Sequence, residues 1–196
     1  MNDRPHDAST QEHLRDSARQ ALAELDGVFM AARPEIANAL IDELLRARRI
    51  ACAGAGREGL MIRAFCMRLM HLGLDAHMTG DMSTPPVGPG DLFIATVGPG
   101  RLPTMEALLT VAHTAGARTA IITAQPDGPA SRIADTTIHL PAQTMADDRG
   151  DTGSTLPMGT LFEIAELIFF DLVAIQLRGQ TGQSPDDLRA RHTNLE

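Results

Sequence analysis

Leu14, Ala18, Ala21, Leu22, Leu25 and Val28 recur at three- and four-residue intervals across residues 10–30, and Ile36, Leu40, Ile41, Leu44 and Leu45 repeat the spacing over 35–48. On a helix that period gathers them on one face, so two amphipathic helices joined around Pro34 are predicted. From Arg49 the pattern changes. Short apolar runs at 50–53, 74–78, 92–96, 119–123 and 136–140 alternate with helical stretches at 59–72 and 103–115. Strands bounded by glycine turns and separated by helices need right-handed crossovers, which place helices over both faces of a parallel sheet. The expected fold class is a three-layer α/β/α sandwich preceded by two N-terminal helices.

Residues 141–155 read PAQTMADDRGDTGST, a polar stretch too long for a simple connection and therefore mobile or functional. It leads into 156–178, where Leu161, Ile164, Ala165, Ile168, Phe169, Leu172 and Val173 support a long, mostly buried helix that Gly179 to Pro185 breaks. No internal repeat divides the chain. One domain is expected over 1–196, with a flexible leader at 1–9, helices over 10–49, a sheet-and-helix core over 50–178 and a C-terminal tail at 179–196.

Composition narrows the chemistry. All 17 basic residues are arginine. A chain without lysine cannot form a Schiff base with a substrate, anchor pyridoxal phosphate or use a P-loop lysine, because each needs a side-chain amine. Against the 17 arginines stand 25 acidic residues, so the net charge of −8 opposes a general nucleic-acid or anionic-membrane surface. With six Phe and neither Tyr nor Trp, platforms for base stacking are scarce. Cys52 and Cys66 fall in a predicted strand and a predicted helix and read as buried free thiols rather than a disulfide. No apolar run is long enough to span a membrane and the start MNDRPHDAST lacks a signal-peptide core, so a cytoplasmic protein is expected. Seven histidines without metal-ligand spacing give no argument for a metal site.

Two glycine turns carry the candidate chemistry. Gly54-Ala55-Gly56-Arg57-Glu58-Gly59 follows the first core strand and opens a helix, matching G-x-G-x-x-G, with Asp81 near where a ribose-binding acid would fall. NAD binding is one reading; the other is that the glycines only permit a tight turn. Glu58 weighs against pyrophosphate, since its charge would sit beside the helix N-terminus. Val97-Gly98-Pro99-Gly100-Arg101 makes a second strand-to-helix turn. Two such turns at neighbouring strand ends would form one crevice at the carboxyl edge of the sheet, the usual ligand position in an open α/β fold.

Taken together, the strand before GAGREG, Ala64-Phe65-Cys66-Met67-Arg68-Leu69-Met70-His71-Leu72-Gly73, the second turn, Leu156-Pro157-Met158-Gly159-Thr160-Leu161-Phe162-Glu163 and the final Arg191-His192-Thr193-Asn194-Leu195-Glu196 resemble the 6-phospho-3-hexuloisomerase family of the sugar isomerase (SIS) domain superfamily. The likeness covers nearly the whole chain, and the last two motifs are its specific part. It implies a five-stranded parallel sheet, a homotetramer or homodimer, and conversion of 3-hexulose 6-phosphate to fructose 6-phosphate without metal or organic cofactor. Moving a carbonyl between adjacent carbons through an enediol needs a base for a carbon-bound proton and a donor for the developing oxyanion. The resemblance makes Glu163 the base. It places His192 at the active site, its own or a neighbouring subunit's, where it assists ring opening or shuttles a proton between oxygens.

The glycine turns depart from the family pattern, in which hydroxyls of G-A-G-R-S-G and S-G-S-G-E-T hold the phosphate. Glu58 stands at the first serine position, and Val97, Pro99, Arg101 and Leu102 replace Ser, Ser, Glu and Thr. Substrate binding is expected from Gly54, Gly56, Arg57, Glu58, Gly98, Gly100 and Arg101. For an anion the donors would be Arg57, Arg101 and the N–H groups of Gly98 and Gly100, with Arg101 alternatively pairing with Glu58. The partner is thus a small sugar or sugar phosphate, and whether it carries phosphate stays open. A non-catalytic sugar- or nucleotide-binding SIS module is the rival from another class. DNA binding is a third option, resting on the cluster Arg46, Arg48 and Arg49 without a compact basic recognition helix.

Overall fold

The computed structural model describes residues 8–148 and 153–195. Residues 1–7 of the expected leader and 149–152 of the polar stretch lie outside the described residues. Two helices, α1 (Ala8–Ala31) and α2 (Ile36–Arg46), precede β1 (Ile50–Ala53), α3 (Gly56–His71), β2 (Ala76–Met78), β3 (Leu92–Thr96), α4 (Pro103–Thr114), β4 (Arg118–Thr123), a 3₁₀ turn at Ala130–Arg132, β5 (Thr136–His139), α5 (Thr160–Thr181) and α6 (Pro185–Ala190). The sheet is five-stranded, in the order β2-β1-β3-β4-β5, with every pairing parallel. This is the flavodoxin-type order, and its switch point lies between β1 and β3.

Successive strand side chains point to opposite faces, which sorts them into two cores. Ile50, Cys52, Leu92, Ile94, Ala120, Ile122 and Ile138 pack with α1, α2, α3 and α5; Ala51, Ala53, Phe93, Ala95 and Ile121 pack under Met105, Leu109 and Ala112 of α4. The layers are unequal, and the near-unbroken apolar runs read in the sequence follow from burial on both faces. Both cysteines are buried and free, as expected.

Ion pairs close the amino edge of the sheet. Asp91, fully buried, accepts from Arg48 Nε at 3.0 Å and Nη2 at 2.9 Å and from the Gly88 N–H. Arg46 pairs with Glu43 and Arg49 with Asp75. The arginine cluster weighed for DNA is therefore matched residue by residue with carboxylates, which cancels the local field it would need. The carboxyl edge, with the two glycine turns, is the edge left for a ligand.

Several boundaries differ from expectation: β2 begins at Ala76 rather than 74 and α5 at Thr160 rather than 156. Helix α3 starts at Gly56 rather than 59, because that glycine takes the left-handed conformation (φ 58°) that a side chain would resist. Helix α5 runs through Gly179 and stops at Gly182 (φ 67°), since its buried face continues to Leu177 and outweighs one glycine. The tail expected at 179–196 holds a helix, α6, whose signal was present: Ser184 caps it, Pro185 stands at its first position and Asp187 completes a capping box. Ser184→Ala is expected to cost about 1 kcal/mol of local stability, read as faster amide hydrogen exchange across 185–190 with the core unchanged.

Among the described residues no helix is long and apolar enough to cross a membrane.

Candidate active site

The first glycine turn is built by backbone contact. A Cβ on Gly59 would stand 2.7 Å from the Gly54 carbonyl oxygen, and one on Gly54 would stand 2.9 Å from the Gly59 Cα. Neither neighbour is a side chain that can swing away, so strand and helix close on each other only with glycine at both positions. The tight turn thus accounts for these glycines without a dinucleotide, and the sheet order is not the classic dinucleotide-binding one. Asp81, the ribose-acid candidate, is exposed and pairs with Arg63.

The tight entry into α3 delivers Arg57 and Glu58 to the switch point. Glu58 Oε2 accepts from the Gly98 N–H at 2.8 Å, joining the two turns into the single crevice expected. A Cβ on Gly98 would stand 2.7 Å from Glu58 Oε1 and 2.9 Å from the Phe162 ring, so the second turn needs glycine to admit both. Burial pushes the Glu58 carboxyl up to about 7; the negative charge of Glu163 adds to that and the Gly98 hydrogen bond opposes it.

Glu163 lies in the first turn of α5, its side chain 14% exposed, and accepts from Arg57 Nε. The residues before it fix the helix start. Met158 takes a left-handed conformation (φ 57°), its N–H donates to Asp148 Oδ2 at 2.8 Å, and the Phe162 N–H donates to the Gln143 carbonyl at 3.3 Å. Backbone strain in a non-glycine residue, held by the surrounding chain, is characteristic of functional turns. The polar stretch after β5 therefore frames the start of α5.

One group escaped the sequence reading. Glu166, one turn beyond Glu163 on α5, is fully buried, and neither of its carboxyl oxygens has a hydrogen-bond partner. Burial raises its pKa well above the usual carboxylate value, and the charges of Glu58 and Glu163 raise it further. In the sequence it occupies an apolar helix face, where spacing alone assigns a core position; only the partnerless burial beside two other glutamates marks it.

The other expected site residues divide. Arg57, Glu58, Gly98 and Glu163 come together with Gly54 and Gly56 at the turn beneath them. The expected anion donors are mostly engaged: Arg57 with Glu163, the Gly98 N–H with Glu58, and the Gly100 N–H with the Val97 carbonyl at 2.9 Å. Arg101 is exposed, and the Glu58 partner is Gly98 rather than Arg101. His192 is not brought to Glu163 within one chain. Its ring stacks on His71 at a centroid distance of 5.2 Å, at the C-terminal end of α3, whereas Glu58 lies at the N-terminal end. Arg191 anchors that tail by donating to the His71 carbonyl at 3.0 Å, a cation at a helix C-terminus.

A parallel sheet of this order, with a carboxylate cluster over two glycine turns at its switch point, defines a ligand-binding α/β domain with acid–base capacity. The chain belongs to the SIS domain family, whose model matches residues 43–164. It is 36% identical over 177 residues to the 3-hexulose-6-phosphate isomerase of Bacillus subtilis, covering 90% of this chain and 96% of that one. It is 34% identical over 183 residues to the protein of the same name from Mycobacterium gastri, covering 93% of this chain and 88% of that one. A solved structure of a hypothetical protein from Methanococcus jannaschii, described as inferring a function of 3-hexulose-6-phosphate isomerase, is 30% identical and covers 94% of this chain and 99% of its own, with a TM-score of 0.77.

Proposed function

We propose that this protein is a sugar-phosphate isomerase that moves a carbonyl between adjacent carbons through an enediol, with 3-hexulose 6-phosphate and fructose 6-phosphate as its substrate pair. The observation that carries the reading is the Glu163 carboxylate, fixed by Arg57 in the crevice where the two glycine turns meet. A carboxylate held in one orientation against a sugar can take a proton from the carbon next to the carbonyl and return it to the neighbouring carbon. Arg57 keeps that carboxylate aimed. With Arg57 so engaged, the exposed Arg101 of the second turn is the arginine assigned to the substrate anion, and the backbone N–H groups that open α3 are further donors. The chemistry uses no metal or organic cofactor.

The expected homo-oligomer belongs to the same reading. Helices α3 and α5 expose Met67, Met70, Leu172 and Ile175, apolar side chains that a second copy would cover. His192 would serve catalysis only by reaching a neighbouring subunit's crevice.

The test is turnover of purified protein on 3-hexulose 6-phosphate beside unphosphorylated hexulose. Fructose 6-phosphate is expected to form, with the unphosphorylated sugar far slower. Equal rates would remove the phosphate from the reading, and saturable binding without turnover would make the chain the non-catalytic sugar-binding module.

A further inference from the structure

The carboxyl edge of a parallel sheet holds anions through backbone N–H groups that strand-to-helix turns leave without an intrahelical partner. In this crevice the candidate donors are already engaged from within the chain. The Gly98 N–H donates to Glu58 Oε2 at 2.8 Å, the Gly100 N–H donates to the Val97 carbonyl, and Arg57 is turned onto Glu163. Both Glu58 oxygens lie against the second turn, since a Cβ on Gly98 would stand 2.7 Å from Oε1. The acceptor seated where the two glycine turns meet is thus a carboxyl of the protein itself. A serine at position 58, as in the pattern the chain resembles, would be neutral at every working pH. A carboxyl is not.

We propose that Glu58 sets this protein's discrimination between phosphorylated and unphosphorylated ligands: it fills the anion position at the junction of the turns, and phosphate binds there only together with a proton on Glu58. The inference deepens the isomerase reading above and rests on it for the identity of the phosphorylated ligand.

The surroundings of Glu58 are mostly acidic. From α5, Glu163 and the fully buried Glu166, whose oxygens have no hydrogen-bond partner, act on it through their charge; Phe162 packs beside it. Its own helix supplies Arg57, engaged by Glu163, and the second turn supplies the Gly98 N–H and the exposed Arg101. A dianion brought here meets like charge, and Glu58 is the carboxyl in contact with the turn. Burial pushes Glu58 up to about 7, the charge of Glu163 adds to that and the Gly98 hydrogen bond opposes it. Below pH 7 the carboxyl is neutral, so an anion binds without taking up a proton. Above pH 7 each anion brings one proton with it, and its affinity falls as pH rises.

The test is calorimetric binding of sulfate to wild-type protein and Glu58→Gln at pH 6 and pH 8, in buffers of different ionisation enthalpy. Sulfate stays dianionic throughout, so any pH dependence belongs to the protein. For wild type, affinity is expected to fall about tenfold from pH 6 to pH 8, with uptake of close to one proton per sulfate at pH 8. Glu58→Gln should show neither effect, and Glu58→Ser, which removes the carboxyl outright, should repeat that result. A flat wild-type profile without proton uptake, the same pH dependence in both variants, or no sulfate binding by any of the three proteins overturns the proposal. A substrate arm compares kcat/KM for 3-hexulose 6-phosphate and unphosphorylated hexulose at pH 8, and the preference for phosphate should rise about tenfold in Glu58→Gln, through KM. An unchanged preference overturns the proposal while leaving the isomerase reading intact. No turnover of either sugar by wild type removes the isomerase reading, and the sulfate arm still decides the role of Glu58.

Discussion

Glu163→Gln is expected to lower kcat for isomerisation by roughly 10²–10⁴-fold, the range typical for loss of a positioned general base. The amide matches the carboxylate in shape, so the start of α5 and its contact with the crevice are retained. What disappears is the lone pair that accepts a carbon-bound proton. Arg57 then faces a neutral group and becomes available to the substrate anion, so KM should hold or fall while kcat collapses, the signature of an interaction made in the transition state. The measurement is steady-state turnover of 3-hexulose 6-phosphate beside the substrate affinity of the variant by calorimetry. Activity near wild type would remove Glu163 from the mechanism. A rise in KM with kcat intact would make it a binding group instead.

The second large effect is on stability, and its sign is opposite to that of an ordinary core substitution. Glu166→Leu is expected to stabilise the protein by about 1–3 kcal/mol at pH 8, the usual cost of a buried polar group without a partner. Glu166 is fully buried and its two oxygens are unpartnered, so leucine of similar size fills the space and removes that cost. The pH dependence follows from linkage. The folded-state pKa lies above that of the unfolded chain, so the stability tied to the neutral form is fully present below the unfolded value and is lost as pH rises through the folded one. The advantage of Glu166→Leu should therefore be smallest near pH 5 and grow toward pH 8. Denaturant unfolding at both values checks this. Destabilisation by leucine at both would show that the carboxyl has a structural partner.

The architecture was legible in the sequence because parallel strands buried on both faces leave near-continuous apolar runs, and the glycine turns between them announce strand-to-helix crossings. Strands β1 and β3 begin and end where the runs do. Helix ends were less legible. Helix α5 passes Gly179 because its apolar face keeps packing, a tertiary gain that local propensity does not register. The C-terminal tail looked merely polar because α6 buries none of its side chains, though its capping box was there to be read.

The candidate site was half legible. GAGREG and the turn at 97–101 could be placed at one edge, and Glu163 came from the family resemblance. Glu58 looked like an obstacle to an anion. Its hydrogen bond to Gly98, 40 residues away, makes it part of the crevice wall. His192 carried a specific motif, yet Arg191 holds that motif on the end of α3, away from Glu163.

By itself the sequence determined what this chain can be: a parallel α/β sandwich in the SIS family, lacking amine chemistry, with two glycine turns and a glutamate at a long helix's start. Those properties depend on residue type and spacing, which are local and additive along the chain. Tertiary structure decided which charges meet. It turned Arg57 onto Glu163, set Glu58 against Gly98 and buried Glu166 behind them. These contacts join residues far apart in sequence, and the ionisation of each carboxyl follows from desolvation and neighbouring charge, quantities that exist only once the chain has folded.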